Sequence, residues 1–101
     1  QYDTAIRDFL VLLQISPADP RLLLGLGMAQ VGKGDTRAAL ALFDTLIASA
    51  PSAPAFYGRA MAYQTAGQHA KSLKDLDQAI ALDPRNPRYP QVRALVAGAK
   101  K

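Results

Sequence analysis

The sequence predicts an all-α fold, an α-α superhelix of stacked antiparallel helix hairpins. Residues 20–51 and 53–84 align without a gap at a spacing of thirty-three residues, and a truncated copy precedes them at a spacing of thirty-four. A fixed period in this range is typical of a stacked repeat array. Apolar residues recur at helical spacing along the chain, and no useful length of it alternates with the period of two that favours strands.

The alignment itself rests on identical residues. The two full copies match at nine positions, namely Gly25 and Gly58, Met28 and Met61, Ala29 and Ala62, Gly34 and Gly67, Leu40 and Leu73, Asp44 and Asp77, Ile47 and Ile80, Ala48 and Ala81, and Pro51 and Pro84. The truncated copy places Ala5, Phe9, Leu12 and Pro17 over Ala39, Phe43, Leu46 and Pro51. We therefore interpret the chain as a series of equivalent helical units.

The first two helices can be placed from their apolar periodicity and from one capping signal. The first is predicted from Tyr2 to Ile15, with a buried face made of Ala5, Ile6, Phe9, Leu12 and Leu13. The second is predicted to begin at Asp19-Pro20. An aspartate side chain there can accept a free backbone N–H, and proline in the first turn has no N–H to leave unpaired.

Glycines predict the turn inside each hairpin. Gly34 can adopt the left-handed conformation that closes a helix, and Asp35 can cap the third helix. That helix carries its apolar residues at Ala39, Leu42, Phe43, Leu46 and Ile47. In the second hairpin, a fourth helix begins near Ser52 and breaks at Gly67, and a fifth follows it.

A last helix is predicted after the second hairpin. Asp83-Pro84 ends the fifth helix, because proline disfavours helical backbone in the residue before it, and Asn86-Pro87 restarts the chain. The apolar stripe expected on this final helix consists of Val92, Leu95, Val96 and Ala99.

Composition bounds what the chain can do. One hundred and one residues, half of them apolar, suffice for one small domain. The absence of cysteine excludes disulfides, thiolate metal sites and a cysteine nucleophile. The longest apolar run, residues 22–29, is far too short for a membrane span. The sequence begins at Gln1 without a targeting pattern, so we expect any such segment to be absent or to lie outside it, and the compartment stays open.

The net charge of +4 is concentrated in the second half of the chain. Residues 53–101 carry eight basic and three acidic side chains, against four and five in residues 1–52. The bias could favour an acidic partner. We interpret it instead as a solubilising surface, because the cations Arg85, Arg88, Arg93, Lys100 and Lys101 are spread over loops and the terminal helix.

No motif in the sequence predicts an enzyme, a cofactor or a metal site. Residues 27–33 resemble the start of a phosphate-binding loop, but Gly34 stands where a Ser or Thr should bind magnesium, and no strand precedes the segment. His69 has no second histidine to work with. Asp75 and Asp77, two residues apart, point to different sides of a helix, and we expect them to be surface acids.

The repeated unit resembles the tetratricopeptide repeat. The match is clearest at Phe56, Ala60, Tyr63, Gly67, Leu76, Ala79 and the closing residues 82–86, and a second unit matches through Leu23, Leu26, Gly27, Gly34, Ala39, Phe43 and Pro51. The resemblance implies a single domain over residues 1–101 with about two and a half repeats. Its parts would be the second helix of a partial repeat (1–19), two repeats (20–52 and 53–86) and a capping helix (87–101).

The resemblance also implies a concave groove lined by the first helix of each unit. That face would offer a partner-binding site made of Arg21, Leu24, Met28, Val31, Tyr57, Met61, Gln64 and Arg88, with Gly25, Gly58 and Thr65 beside them. Methionine adapts to several peptide shapes, and tyrosine combines an aromatic ring with a polar tip. We therefore expect a non-catalytic scaffold that binds a helix or an extended peptide of a partner protein.

Other interpretations stay open at this stage. The apolar face could pack against the terminal helix or a neighbouring domain. The chain could bind its own copy as a homo-oligomer, because the first helix lacks the helix that normally precedes it, or it could belong to a longer array. Nucleic-acid binding through the basic second half is less favoured, because no aromatic residues interleave the charges.

Overall fold

The computed structural model describes residues 1–99, which form six α-helices and no strand. The helices are α1 (Tyr2–Ile15), α2 (Pro20–Lys33), α3 (Thr36–Ser49), α4 (Ala53–Thr65), α5 (His69–Leu82) and α6 (Arg88–Ala99). The all-α prediction is confirmed. Residues 100 and 101, which end the predicted capping helix, and the side chain of Ala99, expected in its stripe, lie outside the described part.

Local capping chemistry accounts for both ends of α2 and for the start of α4. The Asp19 carboxylate accepts the backbone N–H of Arg21 at 3.0 Å, and the Ser52 hydroxyl accepts that of Ala55 at 3.2 Å. Gly34 closes α2 in the left-handed conformation, with φ of 92°. Asp35 precedes α3 as predicted, but its side chain makes no capping hydrogen bond, so that part of the prediction is wrong.

The hairpins pack side by side around a buried core whose two largest fully buried side chains come from α3 and α5. Each helix contacts the next along the chain, and α2 also contacts α4. Phe43 of α3 and Leu76 of α5 are completely buried. A Cβ atom on Gly27 would lie 2.6 Å from the Phe43 ring, and one on Gly58 would lie 2.5 Å from it. The absence of a side chain at these glycines therefore lets α3 approach both α2 and α4 closely.

The expected burial of the two terminal helices is partly wrong. No residue of α1 is fully buried, and Leu12, predicted to be buried, is 45% exposed. In α6, Leu95 is 73% exposed, whereas Tyr89, which was not expected in the core, is 5% exposed. Within residues 1–99, α1 and α6 each border helices on fewer sides than α2 to α5, so a periodic apolar face is only partly covered there.

Ion pairs connect α4 to α3 and α5, and α6 to α5. The Arg59 guanidinium donates to both oxygens of Asp75, at 2.8 and 2.9 Å, and to Asp44 at 2.9 Å. Arg93 donates to Asp77 at 2.6 Å. The prediction that Asp75 is a surface acid is therefore wrong, because it lies buried beneath Arg59.

Candidate functional site

A pocket of about 290 Å³ opens between α2, α4 and α6. We call it the groove pocket, and it is lined by Leu24, Met28, Pro54, Tyr57, Asn86, Arg88 and Tyr89. These residues come from the first helix of each of three successive units and from the loop before α6. The stacking of the hairpins therefore assembles a site whose residues are distant in the sequence.

The walls of the groove pocket rest on the hydrophobic core. Leu24 and Met28 lie one turn apart on α2, are half-buried and pack against the cluster that contains Phe43. Tyr57 packs against the two clusters that join α4, α5 and α6. Because each of these side chains packs against the hydrophobic core, the pocket is already formed in the unbound protein.

An aromatic and cationic group closes the α6 end of the pocket. The rings of Tyr57 and Tyr89 lie 5.5 Å apart between centroids at an interplanar angle of 44°. The Arg88 guanidinium lies 5.3 Å from the centre of the Tyr57 ring, at cation–π distance. The Asn86 side chain accepts the backbone N–H of Arg88 at 3.0 Å, which fixes the start of α6. Burial raises the pKa of the Tyr89 hydroxyl above its ordinary value.

The groove pocket is apolar with a positive rim. No acidic side chain lines it, and Arg88 makes no ion pair with any of residues 1–99. A smaller cavity of about 180 Å³ shares Leu24 and Pro54 with it and is bordered by Arg21, whose side chain is almost fully exposed. Arg21 reaches Asp19 at 3.5 Å, so its charge is only partly compensated.

The structure brings together half of the predicted site residues. Leu24, Met28, Tyr57 and Arg88 line the groove pocket, and Arg21 borders the adjoining cavity. The remaining three lie outside both cavities, where Val31 packs against the α3 cluster, Met61 packs near Leu76, and the Gln64 Oε1 atom lies 2.6 Å from His69 Nδ1. We infer that these three serve packing and the α4–α5 turn.

Two glycines expected on the groove face occupy a different place. A side chain at Gly25 would collide with the Phe9 ring, and one at Gly58 with the Phe43 ring. Both glycines therefore mark the close approach of a first helix to the helix before it. Gly58 is buried and Gly25 half-buried, and neither lines the groove pocket or the adjoining cavity.

Sequence reasoning missed Pro54, Asn86 and Tyr89 as lining residues. A signal for Tyr89 was present, because it precedes Val92 by three residues and Val96 by seven, which places all three on one helical face. Asn86-Pro87 also repeats the Asp19-Pro20 pattern at the start of a first helix.

A larger concavity of about 560 Å³ lies on the other side of α4. It is lined by Phe56, Arg59, Tyr63, Lys71, Lys74, Asp75, Asp77 and Gln78. Its central cation, Arg59, is already paired with Asp75. The groove pocket is the better candidate site despite its smaller volume, because no acidic side chain lines it and Arg88, which lies over the Tyr57 ring, makes no ion pair with any of residues 1–99.

Catalytic and metal chemistry find no support in the described residues. No group of three or more His, Asp or Glu side chains within residues 1–99 is placed to hold a metal ion. The segment that resembles a phosphate-binding loop lies inside α2, where its backbone N–H groups are not arranged in a loop. None of the helices within residues 1–99 has the length and apolar character to span a bilayer.

Comparison with known families agrees with this architecture. A family model described as the tetratricopeptide repeat matches residues 1–54 and 24–87. No curated protein matches the chain at a significant level. Repeats of this kind are generally protein–protein interaction modules and are typically non-catalytic. With most of its length matched and its hairpins stacked as described, the chain belongs to the tetratricopeptide repeat family.

Proposed function

We propose that this chain is a non-catalytic scaffold that binds a peptide segment of a partner protein in the groove pocket. Leu24, Met28 and Tyr57 would anchor an apolar side chain of the partner, with Arg21 and Arg88 at the rim. The observation that supports the proposal is the pocket itself, an apolar recess supported by the core and built from three successive first helices.

The size of the groove pocket suits part of a peptide. At about 290 Å³ it lies at the lower end of the range of ligand pockets, so it accommodates one or two side chains rather than a whole small molecule. The flexible thioether of Met28 and the rigid ring of Tyr57 are the residue types that dominate binding energy and adaptability at such contacts.

The charge of the groove indicates what should flank the apolar anchor. Arg88 has no ion-pair partner within residues 1–99, and Arg21 is largely exposed. A carboxylate on the partner can accept charge-assisted hydrogen bonds from either guanidinium. We therefore expect the bound peptide to carry an Asp or Glu close to its apolar anchor.

A nucleic-acid partner is less favoured than a peptide. Arg59 and Arg93 belong to the basic second half of the chain, and they form ion pairs with Asp75 and Asp77 respectively. Fewer cations are therefore available to neutralise phosphates than the net charge suggests.

The test uses random peptides displayed on phage as the probe. Selected peptides are synthesised and their affinity is measured by calorimetry for the wild type and for Met28→Ala/Tyr57→Ala. We expect at least about a tenfold loss, the order of magnitude for central anchors. The matched control is Met61→Ala/Tyr63→Ala, which removes the same residue types outside the groove pocket and should bind normally. Unchanged affinity of a folded Met28→Ala/Tyr57→Ala variant would contradict the proposal.

A further inference from the structure

The order of helices leaves complementary halves of a hairpin at the two ends of the described chain. Two complete hairpins, α2–α3 and α4–α5, each consist of a first helix and a second helix. Within residues 1–99, α1 is a second helix with no first helix before it, and α6 is a first helix with no second helix after it. Within residues 1–99, α1 therefore exposes the side that a first helix covers in α3 and α5, and α6 exposes the side that a second helix covers in α2 and α4.

Equivalent positions show how much of α1 is left uncovered. Ala39, Phe43 and Leu46 of α3 correspond to Ser72, Leu76 and Ala79 of α5 and to Ala5, Phe9 and Leu12 of α1. All six positions in α3 and α5 are buried, whereas the three in α1 are half-buried or exposed. Both α3 and α5 pack against a first helix on each side, whereas the one first helix against which α1 packs extensively within residues 1–99 is α2. The incomplete burial of these three α1 residues thus identifies the surface on which a first helix would pack.

The free side of α6 has the matching shape. Ala94 is equivalent to Gly27 and Ala60, because it follows Pro87 by seven residues, as they follow Pro20 and Ala53. Gly27 lies against Phe43 within its own hairpin, and Ala60 clusters with Leu76 in the next one. Ala94 is exposed, so a small residue stands where a large side chain of a second helix would pack.

Charge makes the match specific. In the complete α4–α5 hairpin, Arg59 is held between Asp44 of the preceding second helix and Asp75 of its own second helix. Arg93, the equivalent of Arg59, already binds Asp77, the equivalent of Asp44. Among residues 1–99, no second carboxylate pairs with Arg93 in the way that Asp75 pairs with Arg59.

The residue of α1 at the Asp75 position is Asp8. Asp8 is exposed and makes no ion pair with any of residues 1–99. At the corresponding position α3 carries Leu42, which could not bind an arginine. The carboxylate that Arg93 lacks is thus present at the opposite end of the same chain.

We propose that copies of this chain associate head to tail, with α1 of one copy completing a hairpin with α6 of another. Phe9 of the second copy would pack on Ala94, and Asp8 of the second copy would pair with Arg93. The contact joins two different surfaces, so each pair leaves one free end of each kind and assembly is open-ended. The groove pocket lies on other residues, so this association does not depend on the proposed peptide binding.

Light scattering coupled to size-exclusion chromatography tests the proposal on residues 1–101. We expect the wild-type mass to rise with concentration and to pass that of a dimer. Asp8→Arg sets two cations against each other, and Ala94→Arg fills the seat of Phe9, so each variant alone should stay monomeric. The matched controls are Asp35→Arg and Ala41→Arg, which alter an exposed aspartate and an exposed alanine elsewhere and should assemble as the wild type does.

Mixing the two blocked variants decides between arrangements. Asp8→Arg retains a working α6 end and Ala94→Arg a working α1 end, so an equimolar mixture should form a one-to-one dimer and stop there. A wild type that stays monomeric from micromolar to millimolar concentration would overturn the proposal. So would a monomeric mixture of variants whose circular dichroism is native, or continued self-association of Ala94→Arg, which would indicate a symmetric contact through α1.

Discussion

Arg59 and Asp75 form a bidentate ion pair across the α4–α5 hairpin, with Nε–Oδ2 and Nη2–Oδ1 distances of 2.8 and 2.9 Å. The hydrogen bonds to Asp75 raise the pKa of Arg59 further above its ordinary value, so the arginine is always charged. The equivalent positions in the α2–α3 hairpin are Leu26 and Leu42. The same place in the repeat is thus filled by an ionic pair in one hairpin and an apolar pair in the other.

The apolar pair in the α2–α3 hairpin predicts how variants of Arg59 and Asp75 behave. Arg59→Leu leaves the Asp75 carboxylate buried without its partner and should lower the free energy of unfolding by about 2 kcal/mol, below the range for fully buried pairs because Arg59 is partly exposed. Arg59→Leu/Asp75→Leu copies the other hairpin and should recover most of that loss. Urea denaturation measures both, and equal losses in the single and double variants would contradict the prediction.

Ser72 offers a stabilising substitution. Its side chain is fully buried, and its hydroxyl has no hydrogen-bond partner among residues 1–99. The equivalent residues are Ala39 and Ala5. Ser72→Ala should therefore raise the free energy of unfolding by about 1 kcal/mol, because a buried polar group without a partner is removed. The control is Ser49→Ala, which removes a hydroxyl that donates to the Thr45 carbonyl at 3.2 Å. A Ser72→Ala variant less stable than the wild type would refute the prediction.

The turn glycines are required for their backbone conformation and not for space. Gly34 and Gly67 have φ of 92° and 77°, and a Cβ atom at either would meet nothing within 4 Å. Gly34→Ala and Gly67→Ala should each cost about 1 kcal/mol of stability through left-handed strain. Gly98, in a helix with equally open surroundings, is the matched control, and Gly98→Ala should be neutral or slightly stabilising. Thermal unfolding that ranks the three variants equally would contradict this account.

Acid should weaken the start of α2. The backbone N–H of Arg21, and then its side chain, lower the pKa of Asp19 below its ordinary value. The folded state therefore binds this proton less readily than the unfolded state. The carboxylate contributes its stability above about pH 4 and loses it as pH falls through the lower folded pKa.

Asp19→Asn keeps a capping side chain but cannot titrate, so its stability should fall less steeply in acid than that of the wild type. Urea unfolding measured at a series of pH values below about 5 checks this difference. If the free energy of unfolding falls in parallel with pH for the two proteins, the ionisation of Asp19 does not contribute to the acid sensitivity.

Local signals account for what could be predicted about the fold. Asp19-Pro20 and the glycine at Gly34 act within a few residues of themselves, so the bounds of α2 follow from the sequence near them. Burial is different, since it depends on neighbours that periodicity does not identify. Leu12 and Leu95 continue apolar stripes, yet no described helix covers them, and they are exposed.

The candidate site was only partly predictable for a related reason. Leu24, Met28 and Tyr57 follow from the helical face of the first helices. Helical spacing places Tyr89 on one face with Val92 and Val96, but its position in the pocket depends on α6 lying beside α4, which no local pattern indicates. The Arg59–Asp75 pair spans sixteen residues and two helices, so the sequence alone indicated a surface acid.

Nuclear magnetic resonance mapping of a selected peptide tests the central claim most directly. Titration into isotope-labelled protein should shift the backbone amides of Leu24, Met28, Tyr57 and Tyr89 first and most, because these residues line or close the groove pocket. Shifts concentrated instead at Phe56, Tyr63 and Lys71 would place the peptide in the concavity on the other side of α4 and would contradict the account.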